Sequence, residues 1–449
     1  MMETVLRSNG RELVWKRLIF VVCLTLLTVG LSAVPAQTES IYGNVEITWA
    51  DTLSGGLNFI HKGIRVVTDP DGNALVLNRI SGAFFQLTKF AVNGVEQWRR
   101  YGVFDESYMS RVNDLVVDNA GRSFIVGEAL TSDGIWYMSS MGASAYDADG
   151  DRMWSDGQMY AFGKTTAAAL NPAGDLVAVG SDGIFKPGIH VFTIRNYRAD
   201  DGRFQWEAQR DRNYPAQELV VDEAGNSYAI GGYREFYVAK ADAEGSWEWT
   251  YTLNDGEKAH LIPVTLAVTD DRVYVGGEGG APSGHSTGVF VALSPESGAE
   301  RWLVYFVSPE YSDTTIVKVA AAPNGDVIVG GMATKLNGDQ DIMLVRITKY
   351  GQTVWSKYYD GGENDTDTLS DMIVGDDGSI YLVGGTRRGM YDDAITAKIG
   401  PAGRLIWAAD YGGSARDARA LSIDLVGEGG VYVTGRVAEH GFVIRYDEY

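Results

Sequence analysis

The chain has 449 residues, 45% apolar and 22% charged, which is a globular composition and not a disordered one. Its formal net charge of −21 argues against nucleic acid and anionic lipid as main partners, because both demand a basic surface. The 55 glycines follow no Gly-X-Y period and point to many tight turns.

The first element is a leader. Arg7, Arg11, Lys16 and Arg17 precede an uncharged, mostly apolar run from Leu18 to Leu31, and the small residues of Ala33-Val34-Pro35-Ala36 follow. This is the pattern of a secretory signal peptide over residues 1–36, cut after Ala36. The run is short for a membrane span, which takes about 20 residues; an uncleaved signal anchor is the alternative. Cys23, the single cysteine, lies inside the run behind Phe20-Val21-Val22, a poor lipoprotein signal. Residues 37–449 are then expected as one cysteine-free domain held by packing alone, with no membrane span after signal removal. Its expected place is secreted, periplasmic or at a bacterial cell surface.

From about residue 60 onward an internal repeat governs the chain. Trp98, Trp154, Trp206, Trp249, Trp302, Trp355 and Trp407 each have a glycine four positions earlier, from Gly94 to Gly403. Within a unit an apolar strand such as Leu219-Val220-Val221 comes first. A turn such as Asp222-Glu223-Ala224-Gly225 follows, then a β-branched strand ending in glycine, such as Val327-Ile328-Val329-Gly330-Gly331. A variable loop leads to a third strand, and the glycine turn and Trp-bearing fourth strand end the unit. Four antiparallel strands in about 52 residues make one β-propeller blade, with the Trp filling the gap between blades.

The last unit stops at Tyr449 without its Trp strand. The missing strand is legible at the other end. Val45-Glu46-Ile47-Thr48-Trp49, followed by Gly55-Gly56, matches Thr353-Val354-Trp355 followed by Gly361-Gly362. The reading is an all-β, eight-bladed propeller of four-stranded antiparallel blades, closed by strand 45–49 pairing with the last blade. Seven blades is the rival count, because unit one carries Leu77-Asn78 where the others have glycine.

The run Ala394-Ile395-Thr396-Ala397-Lys398, Gly403, Trp407, Tyr411-Gly412-Gly413, Asp417 and Val431-Tyr432-Val433-Thr434-Gly435 resembles the bacterial SBBP β-propeller repeat. Val289-Phe290-Val291-Ala292-Leu293 with Ser297-Gly298, Arg301 and Trp302 resembles the tryptophan-docking repeat of pyrroloquinoline-quinone-type propellers. That second family implies eight blades. Its enzymes often carry adjacent cysteines at the cofactor, and residues 37–449 have none. Neither repeat carries catalytic residues, so the resemblance implies fold and not activity.

Lys89, Lys240, Arg346, Lys398, Arg195 and Arg445 recur at one place in the repeat. They read as scaffold contacts to repeated acids such as Asp118, Asp222 or Asp424, or else as a cationic ring. Asp147-Ala148-Asp149-Gly150-Asp151 and Gly361-Gly362-Glu363-Asn364-Asp365-Thr366-Asp367 are acidic loops, read as turns, with calcium as the alternative. No other cofactor is expected. The five His have no metal-ligand spacing, and no Gly-x-Ser-x-Gly, His-Glu-x-x-His or phosphate loop appears.

The variable loops after the second strand are the place for specificity, because they alone escape the repeat. Trp136, Tyr233, Arg234, His285, Arg387, Arg388 and His440 are the candidate ligand-binding residues there, being of hot-spot type. The expected function is a non-catalytic binding or scaffold module, a monomer engaging a protein or glycan partner at the loop face. The alternative is an enzyme with an axial active site, either a quinoprotein-like oxidoreductase or a glycan-active hydrolase or lyase.

Overall fold

The computed structural model describes residues 38–449 apart from 54–60, 81–83, 106, 108, 133–136, 158–162, 183–190, 213, 254–260, 281–284, 308–309, 362–365, 413–416 and 428. Among the described residues there are 33 strands and no helix. Eight antiparallel sheets form, seven of four strands and one of five. They are the blades of an eight-bladed β-propeller, at 61–102, 109–156, 164–211, 216–253, 262–306, 311–359, 367–411 and 418–448. The first strand of each blade neighbours the first strands of the blades beside it, so these strands line the axis.

Each turn between first and second strands is set by its own sequence. Asp118 Oδ1 accepts the backbone N–H of Ala120 at 2.9 Å and of Arg122 at 2.8 Å, and Gly121 supplies the positive φ of 75°. Asp69, Asn171 and Asp222 repeat the arrangement in other blades.

The repeated glycine at the end of the second strand has a specific cause. Every first strand carries a one-residue register slip at the same height, such as between Val112 and Asp114 or between Ala420 and Ser422. The slip pushes a carbonyl toward the second strand. A Cβ on Gly127, Gly180, Gly384 or Gly435 would meet the carbonyl oxygen of Arg111, Lys164, Thr368 or Arg419. Blade 1 has the same slip, between Gly63 and Arg65, with Asn78 opposite Gly63, and a Cβ on Gly63 would meet Thr434 of blade 8. Unit one is therefore a full blade, and the seven-blade count does not apply.

Among the described residues the core is divided between blades. Eight hydrophobic clusters of buried residues each join two adjacent blades, for example Leu75, Leu77, Phe85, Val112, Leu115 and Ile125 between blades 1 and 2. The tryptophans fasten these interfaces. Trp98, Trp154, Trp249, Trp302 and Trp355 donate their indole N–H to a turn carbonyl of the next blade, on Ala148, Ala199, Pro295, Lys349 and Pro401, at 2.7–3.1 Å. The glycine four positions before each Trp seats the indole of the preceding blade. A Cβ on Gly150, Gly202, Gly245 or Gly298 would overlap Trp98, Trp154, Trp206 or Trp249. Glycine and tryptophan of one motif thus serve two different interfaces.

The ring closes as expected. Strand β2 (Val45–Leu53) pairs with the last strand, His440–Glu448, with Trp49 opposite Arg445 and Ala50 opposite Ile444. Trp49 donates to Val92 O of blade 1 at 2.9 Å and lies over Gly94, which makes it the eighth docking tryptophan. A further strand, β1 (Thr38–Tyr42), was not foreseen. It pairs with Leu405–Tyr411 at the outer edge of blade 7, with Thr38 opposite Tyr411. A turn through Gly43, at a φ of 88°, joins β1 to β2, so the N-terminal segment straps blade 7 to blade 8.

Candidate functional site

The bulge in each first strand sets the residue after it at one common height of the ring. That residue is Arg65, Asp114, Ala167, Glu218, Thr265, Lys318, Asp371 and Ser422 in blades 1 to 8. Four of the eight accept a backbone N–H from the following blade. Asp114 takes Ala168 N at 3.1 Å, Thr265 takes Val319 N at 3.2 Å, Asp371 takes Ile423 N at 3.4 Å and Ser422 takes Val66 N at 3.3 Å. Arg65 and Lys318 cannot accept. In the blade after each of them an aspartate caps its own strand instead, Asp114 to Leu115 N and Asp371 to Met372 N, both at 2.9 Å.

The charges at this height reach across the lumen. Arg65 lies 3.2 Å from Asp114 and 3.7 Å from Asp371, two blades away on its other side. Lys318 lies 3.4 Å from Glu218 and 3.9 Å from Asp371. Burial holds the Glu218 carboxyl above its ordinary value, against the pull of Lys318. The Lys318 ammonium is held up by Glu218, and the Arg65 guanidinium by Asp114. Side chains of Arg65, Glu218 and Lys318 still show 34%, 24% and 28% of their surface, so the lumen wets this waist.

Toward the loop face, three residues earlier on the first strands of blades 8, 1, 2 and 3, the wall turns basic, at Arg419, Lys62, Arg111 and Lys164. Lys62 stands opposite Arg79 on blade 1, Arg419 opposite Arg436 on blade 8, and Arg111 opposite Glu128 on blade 2. Arg111 and Glu128 form an ion pair at 3.4 Å. Burial pushes the Lys62 ammonium below its ordinary value, and Arg79, Arg436 and Arg419 push it further. The sequence reading passed over this arc. A signal was available, since Lys62, Arg111, Lys164 and Arg419 each stand sixteen before Asn78, Gly127, Gly180 and Gly435.

The residues singled out in the variable loops are spread around the same face. Tyr233 and Arg234 form the tip of a turn on blade 4, where Tyr233 is 64% exposed and Arg234 lies over its ring at 5.5 Å. Arg234 has a φ of 68°, and it and Ala438 are the two described non-glycine residues with positive φ. His285 on blade 5 has Nδ1 3.5 Å from Asp313 of blade 6, a bond between blades. Arg387 on blade 7 pairs with Asp392 at 2.8 Å. His440 begins the last strand of blade 8, two residues beyond Ala438. Trp136 and the Arg388 side chain lie outside the described residues. Among the described residues no hydrogen bond, ion pair or ring contact joins these positions, apart from Tyr233 with Arg234.

The once-per-repeat cations are scaffold contacts, but not to the acids expected. Lys89 pairs with Asp69 at 2.8 Å, Lys240 with Glu248 at 2.7 Å, Arg346 with Asp326 at 2.8 Å and Arg445 with Asp447 at 2.7 Å. Lys398 meets Glu448 at 2.7 Å, and Arg195 meets Glu207 at 2.6 Å and also Asp182. Lys89, Arg346 and Arg445 also donate to turn carbonyls of the next blade, on Ala148, Pro401 and Val92. Asp118 holds Arg122, Asp222 caps its own turn, and Asp424 accepts Thr68 N.

The acidic loop at 147–151 is one of the repeated turns. Asp147 Oδ1 accepts the N–H of Asp149 and of Asp151, as uncharged Asn171 does for Ala173 and Asp175. In the loop at 361–367 the stretch 362–365 is outside the described residues, and Asp367 accepts Gly361 N at 2.6 Å. A different acidic group stands nearby. Asp339, Asp341 and Asp360 bring carboxylate oxygens within 4.8 Å of one another. The Lys335 ammonium sits among them, 2.6, 2.9 and 3.1 Å away.

No helix among the described residues is long and apolar enough to cross a membrane. No family model and no curated protein sequence matches the chain. Among solved structures it is similar to the C-terminal WD40 domain of Sif2, at 10% identity and TM-score 0.57, covering 90% of this chain and 98% of that one. It is similar to quinohemoprotein alcohol dehydrogenase from Comamonas testosteroni, at 11% identity and TM-score 0.56, covering 90% and 76%. The Dos1 propeller gives 10% identity and TM-score 0.53, covering 92% and 95%. At such identities the likeness shows the β-propeller fold alone, and the expected SBBP family has no matching model behind it.

Proposed function

We propose that the protein is an exported, monomeric binding or scaffold module whose loop face engages a protein or glycan partner. The observation that carries this reading is the Tyr233–Arg234 pair. A bulky residue in the left-handed region costs on the order of 1–3 kcal/mol and persists where the fold over-determines it. Here the cost displays an aromatic ring and a guanidinium together at a loop tip, on a rigid blade. Propeller neighbours that include a WD40 domain are consistent with a binding role. Cleavage after Ala36 leaves β1 and β2 whole, which fits export with the strap retained. The test is glycan-array and partner-capture binding by the protein, compared with Tyr233→Ala/Arg234→Ala and with Trp136→Ala/Arg387→Ala/Arg388→Ala. Unchanged binding by both variants removes the loop-face proposal.

One observation favours the enzyme reading. Glu218 is enclosed, held toward its protonated form and open to the lumen, as a general acid in a glycan-active hydrolase or lyase would be. Turnover of a glycan that disappears in Glu218→Gln would establish it. Calcium at Asp339, Asp341 and Asp360 has to displace the Lys335 ammonium, so that site is proposed only for a protein lacking that lysine.

A further inference from the structure

We infer that Lys62, Arg79, Arg111, Arg419 and Arg436 form a binding site for an oxyanion, a phosphate, sulfate or carboxylate group on a ligand entering the axial mouth from the loop face. The inference deepens the binding-module reading and rests on it for its setting.

Strand register fixes the unusual feature. Lys62 is directly opposite Arg79, and Arg419 directly opposite Arg436. Like charges opposed across a sheet destabilise it. The scaffold does not require them at this height, because blade 2 places Arg111 opposite Glu128, blade 6 places Thr315 opposite Met332 and blade 7 places Thr368 opposite Gly385. Elsewhere in this protein of net charge −21, the repeated buried cations have acids in contact. In the arc, Glu128 is the one acid in ion-pair contact among the described residues. Asp417, close by in sequence, accepts Asp392 N, and Glu439 is exposed. The connecting segments 54–60, 81–83 and 413–416 beside blades 1 and 8 contain no Asp or Glu, and the acids in the segments flanking blade 2 at Arg111 are Asp105, Glu106 and Asp133.

Arg79 supplies a second observation. Its Nη2 donates to Val112 O and to Asn113 Oδ1, which fixes the guanidinium, while its Nε is buried without a hydrogen-bond partner. A buried donor left unmade costs free energy that an incoming acceptor recovers. Guanidinium forks match planar or tetrahedral oxyanions in bidentate fashion, and three arginines with one lysine beside Arg79 supply such forks on three neighbouring blades.

Calorimetric titration of the protein with inorganic phosphate, sulfate and glucuronate tests this, together with melting curves in each. Binding is expected to weaken as salt rises, and about tenfold or more in Arg436→Gln and Arg419→Gln. Both variants are also expected to melt higher than the parent without ligand, because repulsion is relieved, and to lose the ligand-induced rise. A preference for phosphate, sulfate or glucuronate assigns the source to a phosphorylated, sulfated or uronic-acid ligand. No heat with any of the three, or variants that melt lower in buffer and keep the ligand-induced rise, overturns the site. Partner capture that survives Arg436→Gln while these titrations fail removes this site and leaves the loop-face reading standing. Loss of capture in the loop variants with titrations intact does the reverse.

Discussion

Trp407 donates its indole N–H to the Glu448 carboxylate, with Nε1 2.6 Å from Oε1. In six other interfaces the acceptor is a turn carbonyl of the next blade. At the last blade the acceptor is a side chain, that of Glu448 at the end of the third strand. Glu448 also receives Lys398 at 2.7 Å. Glu448→Ala leaves the buried indole and the ammonium without this acceptor. It is expected to cost about 1–3 kcal/mol in urea unfolding followed by tryptophan fluorescence. Glu448→Gln keeps a neutral acceptor and should recover part of the loss.

The bulge argument predicts a difference between two glycines. Gly127→Ala drives a methyl group into the Arg111 carbonyl, where backbone cannot yield. Gly121→Ala meets only ordinary contact and has to tolerate a φ of 75°. Unfolding should show a loss of about 3 kcal/mol or more for the first and about 1–2 kcal/mol for the second. Equal losses would mean that the close approach at the axis is not what selects the glycine.

Asp69 and Lys89 form an almost wholly buried pair, with 1% and 7% of their side-chain surface exposed. Burial alone would raise the Asp69 carboxyl, but hydrogen bonds from Lys89 and Asn73 outweigh it and hold the group below its ordinary value. A depressed carboxyl contributes stability above its unfolded value, near pH 4, and loses it as pH falls through the folded value. Asp69→Asn is therefore expected to cost about 3–5 kcal/mol at pH 7. The gap from the parent should narrow below about pH 4. Unfolding curves at pH 7 and pH 3 check both statements.

Lys335 acts as a built-in cation for Asp339, Asp341 and Asp360, whose hydrogen bonds hold its ammonium far above the ordinary lysine value. Lys335→Met leaves three carboxylates facing one another. Its melting temperature should fall in chelator and return in millimolar calcium, while the parent should respond to neither. A variant that calcium does not restore would show that the three carboxylates do not form a cation site.

The fold was legible because a propeller repeats its physics. The Gly–Trp spacing, the Asx turns and the strand-ending glycine each occur many times, so one sequence holds its own alignment. Even the closing strand could be matched through Trp49 and its following glycines. Strand β1 escaped because Thr38–Tyr42 repeats nothing and pairs only by its position at a sheet edge. The charge pairings were misread for a related reason. Spacing identifies Lys89 or Arg346 as repeated, but only register shows that each meets an acid of its own blade. The axial groups were invisible singly, since Arg65 and Asp371 lie far apart in the chain and meet across a lumen. The basic arc needed the first strands aligned on the glycine that ends each second strand, and the reading used that glycine only to count blades.

The loop face, the waist and the basic arc all presuppose a ring closed by β2. Amide hydrogen exchange of residues 45–53 measures that closure directly. Protection matching that of the last strand, His440–Glu448, is the result the structure requires, because the two strands share one ladder from Val45 opposite Glu448 to Leu53 opposite Gly441. Exchange of residues 45–53 at the rate of an unstructured peptide, with the last strand still protected, would contradict it.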